Sequence, residues 1–146
     1  MFFGFNTFIF RRIPPILIPG YPDLGCMGNN VIKEKSLSFA LRIIKLCKYL
    51  VESKREYAIS KQLLRSGAAI GALVREAEQA ESKADFVHKL SISLKEANEC
   101  EYWFELLFKS NYIEEKPYNS LLKDLKEILK LLTAIIKTSK QNKQGQ

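Results

Sequence analysis

His88 is the single histidine of this 146-residue chain, and Cys26, Cys47 and Cys100 are its three cysteines. Few other side chains have the reactivity for nucleophilic or metal chemistry, so their spacing is decisive. Asp85 stands three residues before His88, where the paired-metal helical bundles carry glutamate, and the motif occurs once rather than twice. Glu96, Glu99 and Glu101 add carboxylates on the following turns without a second histidine. The cysteines lack CxxC spacing, and no Walker loop, GxGxxG or HExxH occurs. Cys47 and Cys100 fall on apolar stripes, where free cysteine acts as a small hydrophobe. The reading is a non-enzyme with no catalytic residues, metal ligands, cofactor or small-molecule substrate, residing in a reducing cytoplasm without structural disulfides.

Charge is the stronger signal. The chain carries 23 basic and 16 acidic residues, net +7, unevenly placed. Residues 31–75 hold ten basic and three acidic groups, 76–115 hold four and ten, and 116–146 hold seven and two. Such basic-acidic-basic order suits pairing between segments, within or between chains, and also leaves basic surface for a polyanion. Arg42, Lys45, Lys48, Lys61, Arg65 and Arg75 are the candidate nucleic-acid contacts. The alternative is that they are solvated or pair with the acidic third segment. Tyr102 and Trp103 have the ring faces to stack bases, although core or interface packing explains them better.

Periodicity supplies the elements that hold these groups. After Asn30 no run alternates with period two, and Pro117 is the only proline. Four helical segments are predicted. The first covers residues 31–53, with Leu37, Ala40, Leu41, Ile44, Cys47 and Val51 on one stripe and Phe39, Ile43, Leu46 and Leu50 on another. The second covers residues 57–81, with Ile59, Leu63, Ile70, Val74 and Ala77 inward. Its small middle, Gly67, Ala68, Gly71 and Ala72, predicts a close helix crossing, because each glycine otherwise costs a helix about 1 kcal/mol. The third begins near Ala84 behind a Ser82/Asp85 capping box. Phe86, Leu90, Leu94, Ala97, Phe104 and Phe108 form its core stripe. The fourth starts at Pro117 and carries Tyr118, Leu122, Leu125, Leu129, Leu132 and Ile136 in bundle spacing.

The fold class expected is all-α: an antiparallel up-down-up-down four-helix bundle over residues 31–140 with a frayed polar tail at 141–146. Residues 1–30 differ from the rest, with four of the chain's 5 prolines and only Arg11, Arg12 and Asp23 charged. Their apolar run is too short to span a membrane. They read as an unstructured N-terminal extension lying ahead of a second plausible start at Met27, a membrane-touching or partner-docking tail being the rival reading.

Three of the helices carry apolar residues well outside one stripe. Leaving about four such side chains in water would cost on the order of 6–12 kcal/mol, which predicts a homo-oligomer. Phe39, Ile43, Trp103, Leu107, Leu121 and Ile128, on the second stripes, are the candidate interface residues.

The stretch Ser60-Lys61-Gln62-Leu63-Leu64-Arg65-Ser66-Gly67-Ala68-Ala69-Ile70-Gly71-Ala72, followed by Arg75-Glu76-Ala77, resembles the second-helix signature of the bacterial four helix bundle proteins, also called 23S rRNA intervening sequence proteins. Asp85 to Ala97, Glu99 to Leu107 and the Asn111-Tyr112-Ile113 turn continue the likeness. It covers about residues 31–136. Gly71-Ala72-Leu73 departs from the family, where a polar residue or alanine and then asparagine are commoner. The resemblance implies a cytoplasmic ring, typically a homopentamer, without enzymatic activity. It also implies a link to RNA, since some members are encoded within 23S rRNA genes and a related branch assists reverse transcriptases of diversity-generating retroelements. Binding of RNA or of a nucleic-acid-handling protein through basic helix faces is therefore expected. The alternative is a homo-oligomeric protein-binding scaffold with no nucleic-acid role.

Overall fold

A computed structural model describes residues 26–141, and the expected extension and tail fall largely outside them. Four helices account for nearly all of this span: α1 (Cys26–Lys54), α2 (Ala58–Glu78), α3 (Lys83–Lys109) and α4 (Glu115–Gln141). Helix α1 begins five residues before the predicted start at Val31. The links are too short for crossover connections, so successive helices run antiparallel and α4 returns beside α1. Each helix packs on its two neighbours around a shared core. Diagonal helices meet there through side chains, as Phe39 of α1 and Phe104 of α3 do edge to face at 6.1 Å between ring centres.

The helix ends follow from local chemistry. Ser82, in extended backbone, accepts the Asp85 N–H through its hydroxyl at 3.1 Å and starts α3 as predicted. Asn111 takes φ 59°, and α3 closes with Tyr112 N–H on the Leu107 carbonyl at 2.9 Å and Asn111 N–H on the Phe108 carbonyl at 3.0 Å. Helix α2 has no side-chain cap at Tyr57. Glu56 performs that task from the residue before: its carboxylate accepts the N–H groups of Ala58, Ile59 and Ser60 at 2.9, 2.8 and 2.8 Å. An anion at three orphan helix donors is a favourable arrangement, and here it is 7% exposed. By sequence alone Lys54-Arg55-Glu56 is no more than a short polar connection between two helical segments.

The core refutes most of the expected subunit interface. Phe39, Ile43, Leu107, Leu121 and Ile128 are buried inside the single bundle, and Trp103 is half-buried, donating its ring N–H to Glu99 at 3.1 Å. On α1 the inward stripe is Ile32, Phe39, Ile43, Cys47 and Leu50, while Leu37, Leu41 and Ile44 lie outside. On α4 Leu121 and Ile128 join the core, and Leu122 and Leu129 are half-buried. Two apolar stripes about 100° apart on one helix are equivalent by spacing alone; the neighbouring helices choose between them.

Helix α2 makes the close approaches. Gly67 lies against Ile43 of α1, so that an added Cβ would sit 2.9 Å from its Cγ1, and Gly71 lies beside Ser36. Toward α3, Ser93 donates to the Ile70 carbonyl at 3.1 Å and the Cys100 thiol to the Ser66 hydroxyl at 3.3 Å. Ala68 and Ala72, expected at the same crossing, are exposed instead. Each is one residue, or about 100°, past its glycine, which turns it out of the seam.

Candidate functional site

The six predicted nucleic-acid contacts do not gather into one site. Arg42 reaches across to α4, pairing with Asp124 and donating to the Ser120 hydroxyl at 2.8 Å and carbonyl at 3.3 Å. Arg65 pairs with Glu99 at 2.5 Å and Glu96 at 3.4 Å on α3, and the Glu99 hydrogen bond holds its pKa above the ordinary value. Arg75 donates to the Gly71 carbonyl of its own helix at 3.0 Å. Lys48 stands 3.9 Å from Glu52, a loose pair one turn along α1. Lys45 and Lys61 are exposed and make no ion pair with the described residues. Arg42 and Arg65 thus clamp helices together; Arg65 does so with the acidic third segment, as the rival reading of the charge pattern has it, whereas Arg42 is held by α4.

Unneutralised positive charge concentrates elsewhere. Lys116, Lys123, Lys126, Lys130 and Lys137 of α4 are exposed, and none makes an ion pair among the described residues. The two carboxylates in the middle of α4 are both engaged by α1, Asp124 by Arg42 and Glu127 by Lys35 at 2.6 Å. Glu127 is held below the usual carboxylate range, first by its hydrogen bond and charge contact with Lys35 and secondarily by Lys123 and Lys130. The net charge of residues 116–146 was the sequence signal for this surface; its freedom from pairing was not legible.

A second outer surface is apolar. Leu37, Leu41 and Ile44, spaced by four and three on α1, are 50%, 53% and 50% exposed. Helices α1 and α2 are antiparallel with Ile43 facing Gly67. The residues one step past that contact, Ile44 and Ala68, therefore open on the same side of the seam. Leu64 and Tyr57 of α2 extend the same side and are exposed. Covering the exposed halves of Leu37, Leu41, Ile44 and Leu64 would gain roughly 3–6 kcal/mol at ~0.8–1.5 each.

The 23S rRNA-intervening sequence protein model matches residues 28–134. The chain belongs to that family. A solved structure from Bacteroides thetaiotaomicron, described as a protein of unknown function from the S23 ribosomal protein family, is 58% identical with a TM-score of 0.75. The alignment covers 76% of this chain and 99% of that one. No match was found among the curated proteins. The family match takes in α1 almost entirely, α2, α3 and most of α4. The family-like stretch Ser60–Ala72 contains the residues with which α2 approaches α1 and α3, namely Ser60, Ser66, Gly67, Ile70 and Gly71. In this member of the 23S rRNA-intervening sequence proteins the signature is therefore a packing device.

The remaining reactive groups are quiet. Burial pushes the Cys47 thiol up to about 11 and the Cys100 thiol up to about 12. Their S–H groups donate to the Ser60 carbonyl at 3.2 Å and the Ser66 hydroxyl. His88 is exposed. No group of three His, Cys, Asp or Glu side chains among the described residues is placed to hold a metal. No described helix is long and apolar enough to cross a membrane.

Proposed function

We propose that this chain is a non-enzymatic, ring-forming bundle that binds RNA, or an RNA-bearing partner, through basic helix surface. The observation that carries this reading is the segregation of its outer surface: apolar on the α1–α2 seam and basic along the outer face of α4. The apolar seam is where copies of the chain meet. Ring closure follows if that contact is heterologous, and five subunits is the number that the family resemblance implies. Membership of a family described by its 23S rRNA intervening sequences supports RNA as the polyanion.

Light scattering at micromolar protein tests the assembly, with a mass near five chains expected. The mass should persist in 0.5 M salt, where the Debye length is about 4–5 Å but apolar burial is intact. Replacing Leu41 and Ile44 together by glutamate should yield monomers of unchanged helicity. A wild-type monomer would overturn the ring. Binding to RNA should weaken steeply between 50 and 200 mM salt. No RNA binding by an intact oligomer would favour the protein scaffold, a reading supported by the use of Arg42 and Arg65 as internal clamps.

A further inference from the structure

We propose that the outer face of α4 is the nucleic-acid surface and that its ligand is the phosphodiester backbone of duplex RNA, an inference that rests on the reading of RNA as the partner. Lys123, Lys126, Lys130 and Lys137 are spaced by three, four and seven residues, which sets them on one side of the helix. That side is directly opposite the buried row Leu121, Leu125, Ile128, Leu132 and Ile136, so the lysines project away from the bundle. The row is about 21 Å long at 1.5 Å per residue, long enough to meet several successive phosphates rather than one small anion.

Two features mark this face. Its lysines make no ion pair among the described residues, and unlike Lys45 and Lys61, which are also unpaired, they stand together in one row. Asp124 and Glu127 turn toward α1 and are held there by Arg42 and Lys35, and Glu105 of α3 is held by Lys109 at 2.5 Å. The pairing of those carboxylates leaves the lysines as donors for an external anion. The face is also free of aromatic rings. Between the lysines lie Thr133 and Ala134, which with Leu129, Lys130 and Lys137 line a shallow groove. Tyr118, the one aromatic residue of α4, is half-buried and stacked on Phe108 at 4.5 Å. Single-strand binders rely on aromatic platforms for the bases. Duplex RNA is recognised chiefly through its shape, phosphates and 2′-hydroxyls, which a row of lysines with small polar neighbours can follow.

Fluorescence anisotropy of the full chain with a fluorescein-labelled 20-base-pair RNA duplex tests the proposal. Four phosphate contacts predict a slope of log K against log salt of about −3.6 per bound chain, and thus a loss of about 150-fold between 50 and 200 mM. The variant Lys123→Gln, Lys126→Gln, Lys130→Gln, Lys137→Gln should bind at least about 100-fold more weakly at 50 mM and lose about 3–4 units of slope. Its circular dichroism and melting temperature should match wild type, because these exposed side chains make no ion pair among the described residues. Lys45→Gln, Lys48→Gln, Lys61→Gln should bind within about threefold of wild type. Wild-type binding that survives unchanged in the α4 variant would overturn this site and leave the proposed function standing. Absence of wild-type binding would overturn both. Equal affinity for a DNA duplex or for a single-stranded RNA of the same length would overturn the choice of duplex RNA.

Discussion

Gly67 and Gly71 look alike in sequence, and the structure predicts that replacing each by alanine has opposite effects. A Cβ on Gly67 would lie 2.9 Å from Ile43 Cγ1, 3.0 Å from Cγ2 and 3.3 Å from Cβ. All three atoms are close to the α1 backbone, and a β-branched side chain in a helix has one strongly preferred χ1. Ile43 cannot swing aside, so the helices must separate locally. Overpacking of this kind costs about 1–3 kcal/mol, against a gain of about 1 kcal/mol in helix propensity. The balance for Gly67→Ala is a loss of up to about 2 kcal/mol. A Cβ on Gly71 would instead meet Ser36 Oγ at 3.2 Å and Arg75 Nη1 at 3.3 Å. The first is a hydroxyl that can rotate and the second is the far end of a flexible side chain, so propensity prevails and Gly71→Ala should be neutral or stabilising by up to about 1 kcal/mol. Thermal unfolding followed by circular dichroism at matched protein concentration reads the difference, because association also shifts stability. At about 3–6 °C per kcal/mol for a chain of this size, Gly67→Ala should melt below wild type, by up to about 12 °C. Gly71→Ala should melt at or slightly above it. Equal losses at both positions would refute the crossing geometry. The larger Gly71→Leu should break folding or assembly, since its branched side chain exceeds what Ser36 and Arg75 can yield.

Glu56→Ala removes the acceptor for three α2 N–H groups and should cost about 2 kcal/mol in urea unfolding; Glu56→Gln, which keeps one carbonyl oxygen, should lose about half as much. Cys47 and Cys100, with thiols raised to about 11 and 12, should resist iodoacetamide in the native protein at pH 8 and react once unfolded, as read by peptide mass spectrometry. Labelling of Cys100 in the native state at the unfolded rate would show that its helices open readily. The Glu127 pKa is lowered in the folded chain. Its contribution to stability is therefore present above the unfolded glutamate pKa and lost as pH falls through the lower folded value. A carboxyl NMR titration should place the Glu127 midpoint below the ordinary glutamate value near 4.3, and Lys35→Met should move it back up; an unmoved midpoint would remove Lys35 as the cause.

The sequence by itself determined the elements and several of their ends. The 3.6-residue period on residues 31–136, the Ser82/Asp85 cap and the small residues of α2 depend on local spacing, and the helices stand where that spacing put them, within a few residues. The excess of apolar side chains over one bundle's needs was legible too, since it depends on number rather than arrangement. The tertiary structure decided orientation and pairing. Phe39 and Ile43 could be told from Leu37, Leu41 and Ile44 only once α2 and α4 lay on particular sides of α1. Which cations are free depends equally on partners remote in the chain: Arg42 is engaged by a residue 82 positions away and Lys35 by one 92 away, and no local pattern encodes such a meeting. The α4 lysines are left uncompensated because α1 holds the carboxylates beside them, a consequence of helix packing that a count of charges along the chain does not contain.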